Sequence, residues 1–276
     1  SEGDKISVNG HFSKEVVINP ENPSSAKFEV ETAVLDYPYQ VVYPASSKSM
    51  VEFKAVQNYV ANTFESGVAP MYGSVSTKGE VVKLKHLSGI LKLSIKGADD
   101  KTTIERAIIK SEDGYIAGLF SVDFATGAIT PAESMSDTME YLFGAGLELS
   151  SAEPKSFFVV LPHGEFGLCS LELHTTDNRV MYLRFKTSGG SAIKAGVVRE
   201  FGAITFKNGA KSALEPLESE EDEFIISDIS HLKKPATIDG EYLVLNDVNE
   251  FMWVCYNGQT VGGVTYKKIR IGADIE

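Results

Sequence analysis

The stretch VVKLKHLSGILKLSIKG, residues 81–97, decides the fold that the sequence predicts. In its second half the apolar residues occupy odd positions from Leu87 to Ile95, which is the two-residue period of a half-buried strand. In its first half they occupy even positions. Because a slip of one residue turns every side chain to the other face, we expect one long strand with a bulge between His86 and Gly89.

The polar face of this strand indicates the kind of sheet that contains it. Lys92, Ser94 and Lys96 alternate with the apolar residues and are expected to meet water. An antiparallel β-sandwich has one face packed and one face solvated, whereas a parallel nucleotide-binding strand is apolar on both faces. The stretch therefore predicts an all-β sandwich.

The chain on either side of this stretch also predicts strands. Residues 6–56 alternate short apolar runs with clusters of Pro, Asn and Ser, which is typical of an all-β domain. Downstream, the sequences SEDG at 111–114, ATGA at 125–128 and TTDN at 175–178 predict hairpin turns.

Two further segments of this region have predictions of their own. Residues 131–146 lose the alternation, and we expect a loop there with a short helical turn around residues 139–143. Residues 157–161, FFVVL, are apolar without alternation, which predicts a central strand covered on both faces.

The last part of the chain differs in composition. The run ESEEDE at residues 218–223 predicts a solvated linker, and the alternative, a calcium site, lacks the ligand spacing and turn glycine of a calcium loop. Residues 242–245 predict a strand, residues 246–258 a helix with Asn246 as its N-cap, and residues 266–275 a final strand.

These patterns predict four segments. They are an N-terminal β-sandwich at 1–76, a second β-sandwich at 77–208, an acidic linker at 209–223, and a small α+β module with strand, helix and strand at 224–276.

Four motifs, in order, carry a family resemblance. They are YPYQVVYP at 37–44, PMY at 70–72, LKHLSGILKL at 84–93, and the terminal segment GVVREFGAITF at 196–206. Together they resemble the fimbrillin-like family of Bacteroidales fimbrial subunits and cell-surface adhesins, over residues 6–206. The resemblance implies two transthyretin-like or immunoglobulin-like sandwiches, export to the outer membrane or fimbrium, and a lipid-modified cysteine upstream of Ser1.

The net charge of the chain limits the classes of molecule that it is expected to bind. The 276 residues are 43% hydrophobic and carry a formal net charge of −12. This charge argues against nucleic acid or an anionic membrane surface as a partner, because both would repel the average field of the protein. No apolar run reaches the roughly 20 residues that a membrane-spanning helix needs.

The residue types that carry chemistry are scattered. The five histidines show no metal-ligand spacing, and no nucleophile elbow or phosphate loop occurs. The sequence HGE at 163–165 is interpreted as a turn, with a metal or acid/base pair as the alternative. Cys169 is expected to be a buried apolar residue, and a disulfide with Cys255 is the alternative. We therefore predict no enzyme, no cofactor, no metal and no catalytic residue.

One short motif predicts a modification. Residues 137–139, Asp-Thr-Met, are similar to the acceptor that this bacterial group uses for O-glycosylation, and the expected loop would expose them. Thr138 is the predicted acceptor.

The function that the resemblance implies is structural or adhesive, with subunits assembling or docking by β-strand addition. Residues 6–18 and 266–275 are the candidate donor strands, and other fimbrial subunits or host and bacterial surface ligands are the expected partners. The alternative is a surface glycan-binding lipoprotein whose exposed aromatic rings stack on sugars. Its candidate rings are those of Tyr37, Tyr39, Tyr59, Tyr72 and Tyr115.

Overall fold

The computed structural model describes residues 4–18, 26–31, 36–46, 50–78, 80, 82–99, 101–214, 234–246, 250, 253–254, 260–261 and 263–272. The chain divides into two compact units, residues 1–219 and 220–276. The predicted all-β class is confirmed, because nearly all described regular structure is strand. Among the described residues, no helix has the length and apolar character needed to cross a bilayer.

The described residues of the first unit form twenty-one strands. In chain order they are β1 (Ser7–Val8), β2 (His11–Phe12), β3 (Val17–Ile18), β4 (Ala26–Lys27), β5 (Tyr39–Tyr43), β6 (Met50–Phe53), β7 (Val56–Val60), β8 (Thr63–Phe64), β9 (Met71–Val75), β10 (Lys85–His86), β11 (Ser88–Lys96), β12 (Thr103–Ser111), β13 (Ala117–Val122), β14 (Ile129–Ser136), β15 (Thr138–Glu148), β16 (Lys155–Pro162), β17 (Leu168–Thr175), β18 (Val180–Lys186), β19 (Val198–Glu200), β20 (Ile204–Thr205) and β21 (Lys211–Ala213).

One pair of sheets encloses a small core. A five-stranded sheet has the order β10-β9-β5-β1-β2, and a three-stranded sheet has the order β14-β13-β6. Apolar side chains from both sheets meet between them, and the rings of Phe53 and Phe120 pack edge to face at 5.2 Å. The buried residues of this core are Val42, Val51, Phe53, Tyr72, Leu87 and Phe120.

A second pair of sheets encloses the main core. Its larger sheet has the order β21-β18-β17-β12-β15-β7-β8, and the facing sheet has the order β16-β11-β19, with β20 also paired to β11. The predicted hairpin of β17 and β18 is confirmed, with Met181, Leu183 and Phe185 buried on its inner face. The odd-numbered apolar residues of β11 point into this core as predicted.

The two sandwiches interleave along the chain. Strands β7 and β8 lie before residue 76, yet β7 pairs in parallel with β15 of the second sandwich. Strands β13 and β14 lie after residue 77, yet β13 pairs with β6 of the first. Strands on either side of residue 76 therefore pair with each other across long connections. The predicted boundaries stay predictions.

The phase change in residues 81–97 has a different cause from the one predicted. The single bulged strand is wrong, because β10 pairs with β9 in one sandwich and β11 pairs with β16 in the other. Leu87 lies at the crossing and is fully buried. Gly89 is required by close approach, since an added Cβ would lie 2.6 Å from Ile193 Cγ2 and 2.6 Å from Lys194 O.

Two predictions about connections are also corrected. The turn at 111–114 does not close a hairpin, because β12 pairs with β15 and β17 while β13 pairs with β14 and β6. Residues 131–146 form most of β14 and β15 rather than a loop with a helical turn. The hairpin at 125–128 is confirmed, and Gly127 has the positive φ of +81° that the turn requires.

The second unit is described in part. Its strands are β22 (Thr237–Asp239), β23 (Tyr242–Leu245), β24 (Thr260–Val261), β25 (Val264–Thr265) and β26 (Lys268–Ile271), and β22, β23 and β26 form one sheet in that order. Of the predicted helix at 246–258, residues 250, 253 and 254 are helical, and its other residues after 246 lie outside the described residues. The N–H of Asn246 donates to Glu250 Oε2 at 2.8 Å.

The predicted linker at 209–223 is described only as far as residue 214. Within it, Lys211–Ala213 forms β21 and pairs with β18, so this part is sheet rather than linker. Residues 215–223, including the acidic run and its alternative as a calcium site, lie outside the described residues.

Candidate functional site

The candidate functional sites are the edges of the sheets, because strand addition needs backbone groups that the fold leaves unpaired. Strand β16 ends one sheet, but its outer edge is closed by a side chain. Gln57 Nε2 donates to Val160 O at 2.7 Å, and Val160 N donates to Gln57 Oε1 at 3.1 Å. The amide of Gln57 thereby takes the place of a neighbouring strand.

The closure at β16 is dry. Gln57 is 1% exposed and Val160 is fully buried. Strand β16 is therefore covered as predicted, although it lies at a sheet edge rather than in the centre. The sequence offered little signal for Gln57, since glutamine is usually solvent-exposed and VQNY lacks a clear alternation.

Strand β14 is the edge of another sheet, and different features hinder the pairing of a further strand with it. Its pairing with β13 shifts register twice, and Ser134 has a positive φ of +53°. Pro131 lies within the strand and has no N–H to offer. Bulges and proline on an edge strand hinder the addition of a further strand.

Strand β26 is the more open edge. It pairs in parallel with β23 on one side, and no described strand pairs with its other side. Residues 268–270 are exposed, including the apolar side chain of Ile269. This strand therefore combines unpaired backbone groups with an accessible apolar residue.

Charges hold the open strand in place. Arg270 lies over the ring of Tyr242, with Cζ 4.3 Å from the ring centroid, and forms an ion pair with Asp239. Lys268 forms an ion pair with Glu241. These contacts fix β26 against its own sheet and leave its outer edge accessible.

The two predicted donor segments have different outcomes. Residues 6–18 are not one strand, because the Asn9-Gly10 turn divides them and β1 pairs on both sides, with β2 and β5. Residues 266–275 include β26, and residues 273–275 of that segment lie outside the described residues. The edge at β26 therefore remains as the candidate.

The five candidate tyrosines do not form one platform. Tyr37 and Tyr39 stack on each other with ring centroids 4.1 Å apart. Tyr59 packs on Phe143, and Tyr72 is only 5% exposed. Tyr115 is exposed and makes no ring contact with the other four. A flat sugar platform built from these rings is therefore absent.

The residues with ligating or reactive side chains, which are scattered in the sequence, are also not brought together among the described residues. They contain no group of three or more His, Cys, Asp or Glu that could hold a metal ion. Residues 163–165 form part of a turn in which Glu165 Oε1 accepts from the N–H of Gly189 at 3.2 Å. His163 Nδ1 lies 2.8 Å from Leu87 O.

The candidate modification and thiol sites are both constrained. Thr138 begins β15 and is half-buried, so the exposed loop predicted around it is wrong; its hydroxyl donates to Asp137 Oδ1 at 2.8 Å. Its glycosylation stays a prediction. Cys169 is buried as expected, and burial raises the pKa of its thiol to about 11. Cys255 lies outside the described residues.

Comparison with known proteins yields structural likeness at low identity. No family model matches the sequence, and no curated protein does. A protein of Bacteroides uniformis assigned to cell adhesion has a TM-score of 0.46 at 12% identity, over 78% of this chain and 90% of that chain. A second such protein, from Bacteroides ovatus, has a TM-score of 0.45 at 10% identity, over 78% and 85%.

A tip fimbrial protein of Porphyromonas gingivalis has a TM-score of 0.30 at 8% identity, over 74% of this chain and 89% of that chain. These similar structures are described as adhesion and fimbrial proteins. At this identity and TM-score, the likeness carries no conclusion about what this chain binds.

Proposed function

We propose that this chain is a non-enzymatic structural or adhesive protein of the cell surface that docks to another subunit by β-strand addition. Strand β26 is the edge at which the docking occurs. Backbone hydrogen bonds to β26 would supply affinity, and alternate side chains such as Ile269 would set the register. Other fimbrial subunits or surface ligands are its partners.

The observation that supports this proposal is the contrast between edges. The fold closes β16 with a buried glutamine and obstructs β14 with bulges and proline, yet leaves β26 without a described neighbour. Exposed edges promote unwanted pairing, so proteins usually protect them. An edge left open beside protected ones is consistent with a pairing function.

Export to the outer membrane or fimbrium, with a lipid anchor upstream of Ser1, is part of the same proposal. It rests on the resemblance of the four motifs. A surface protein that works by docking needs packed sheets and an accessible edge rather than a reactive pocket.

The experiment is photo-cross-linking on intact cells that produce the protein. A photoreactive residue replaces Ile269 in β26, and a matched variant carries it in place of Lys110, an exposed residue of β12. We expect a light-dependent adduct of higher mass from position 269 and none from position 110. No adduct at 269, or equal adducts at both positions, would contradict docking at β26.

A further inference from the structure

A cleft in the first unit has a lining unlike the rest of this acidic protein. It measures about 540 Å³ and is lined by Tyr72, Lys85, His86, Thr126, Gly127, Ala128, His163, Ala195 and Gly196. No described lining residue carries a carboxylate, although the chain as a whole has a net charge of −12. Its volume falls within the roughly 300–1,000 Å³ of small-ligand sites.

The floor of the cleft contains the side chain of Tyr72. This residue lines the cleft and is 5% exposed as a whole. The ring is held by an edge contact with Phe124 at 6.1 Å, so the hydroxyl is fixed in place. It reaches the turn at Gly127, where an added Cβ would clash with it. A hydroxyl held at a cleft can donate a hydrogen bond to a ligand that enters it.

A cation stands beside this hydroxyl. Lys85 is directly opposite Tyr72 in the pairing of β10 with β9. It is exposed and forms no ion pair with a described residue. Lys85 and Tyr72 therefore present an ammonium group and an O–H donor to the same cleft, which is the donor set that a carboxylate accepts from.

The other side of the cleft offers an acceptor. His163 Nδ1 lies 2.8 Å from Leu87 O, and a carbonyl oxygen can only accept, so Nδ1 carries the proton of the neutral ring. Nε2 is then an acceptor with no described partner. A carboxylate alone, such as acetate, has no hydrogen to donate to this acceptor, whereas a sugar hydroxyl can donate to it.

From these contacts we infer that the cleft binds an acidic sugar, whose carboxylate lies at Lys85 and Tyr72 and whose hydroxyl groups reach His163. Thr126 supplies a further hydroxyl at the rim, and the small residues Ala128, Ala195 and Gly196 leave room for the ring. This site goes beyond docking at β26 and is independent of it, so failed cross-linking at position 269 leaves it standing.

The test is an NMR titration of the full ¹⁵N-labelled chain with glucuronic acid, compared with glucose, acetate, inorganic phosphate and a glutamate-rich peptide. We expect glucuronic acid to bind more tightly than the other four and to shift the amide signals of Lys85, Gly127 and Gly196. Absence of these shifts at the highest soluble concentration would overturn the inference. So would equal or tighter binding of acetate, phosphate or the peptide.

Variants identify the groups responsible. Tyr72→Phe removes only the hydroxyl and keeps the ring packing, and Lys85→Gln removes an exposed charge. Each should weaken glucuronic acid binding by about tenfold or more, since a hydrogen bond to a charged group is lost. Lys110→Gln, on β12, should leave it unchanged. If Tyr72→Phe loses its fold by thermal unfolding, Lys85→Gln decides alone; unchanged binding in that folded variant overturns the assignment.

Discussion

Strands β16 and β26 are both edges of sheets, but the fold treats their backbones differently. At β16 a buried glutamine pairs with both the N–H and the C=O of Val160, so the ladder ends inside the protein. At β26 the ladder ends at an exposed strand whose outer side has no described partner.

The difference shows that a sheet edge is not open or closed by its position alone. A single side-chain amide has the same donor and acceptor as a peptide group, so it can terminate a ladder without adding a strand. Where no such group is supplied, the edge remains available for another chain.

The largest effect is expected at the closed edge. Replacing Gln57 with Leu leaves the buried N–H and C=O of Val160 without partners, which should lower the free energy of unfolding by about 3 kcal/mol. Urea denaturation measures the loss. Asn58→Ala, on an exposed position of the same strand, should cost less than about 1 kcal/mol. Similar losses in both variants would show that the amide does not seal β16.

Stability at alkaline pH tests whether water is excluded from the core against which β16 packs. Tyr141 packs against Phe157 of that strand at 5.4 Å, and burial raises the pKa of Tyr141 to about 12. The unfolded phenol ionises near pH 10, so stability is full below about pH 10 and falls as the pH rises toward 12, by on the order of 2 to 3 kcal/mol.

Tyr141→Phe should remove this contribution to the fall in the free energy of unfolding at alkaline pH. The measurement compares urea denaturation at about pH 9 and about pH 11. Tyr115→Phe, at a ring that is 45% exposed, is the matched control and should leave the loss unchanged. Identical pH dependence in Tyr141→Phe and the original protein would contradict a dry interior at this strand.

A smaller loss is expected where β11 runs beside β16. Gly89→Ala adds a Cβ that meets Ile193 and the backbone of Lys194, and should destabilise the protein by about 2 kcal/mol. Gly144→Ala adds its Cβ in open space and suffers only the strain of a positive φ, about 1 kcal/mol. Denaturation midpoints should rank the two in that order, and the reverse order would refute the close approach.

The smallest effect is expected at the open edge. Ile269→Thr keeps a β-branched residue on an exposed strand, so the stability of the second unit should change by less than about 0.5 kcal/mol. The single tryptophan, Trp253, packs against the core of this unit and reports its unfolding by fluorescence. Leu243→Ala, at a fully buried position of β23, should cost about 3 kcal/mol. If Ile269→Thr lowered the free energy of unfolding as much as Leu243→Ala, Ile269 would be buried and β26 would not be an open edge.

The sequence predicted the fold class through local alternation. The inward faces of β11, β17 and β18 follow from the two-residue period, and the turn at Gly127 follows from its dipeptide. What alternation could not predict is which strands pair. Leu87 shows this clearly, because the phase change that resembles a bulge is the point where the chain leaves one sandwich for the other.

The candidate sites were harder to predict from the sequence than the fold class. Pairing of Gln57 with Val160 joins residues 103 positions apart, and the cleft at Tyr72 assembles five separate segments. Such groups meet only through tertiary packing. A sequence shows Tyr72 as one aromatic residue of several and cannot show that it lines a cleft together with Lys85 and His163.

Hydrogen–deuterium exchange tests the contrast between the two edges most directly. The amides of residues 155–162 and 264–272 are followed in the isolated chain and in the adduct cross-linked at position 269. We predict that β16 is protected in both states, while β26 exchanges rapidly in the isolated chain and becomes protected in the adduct. Equal protection of β16 and β26 in the isolated chain, or rapid exchange of β26 in both states, would contradict this account.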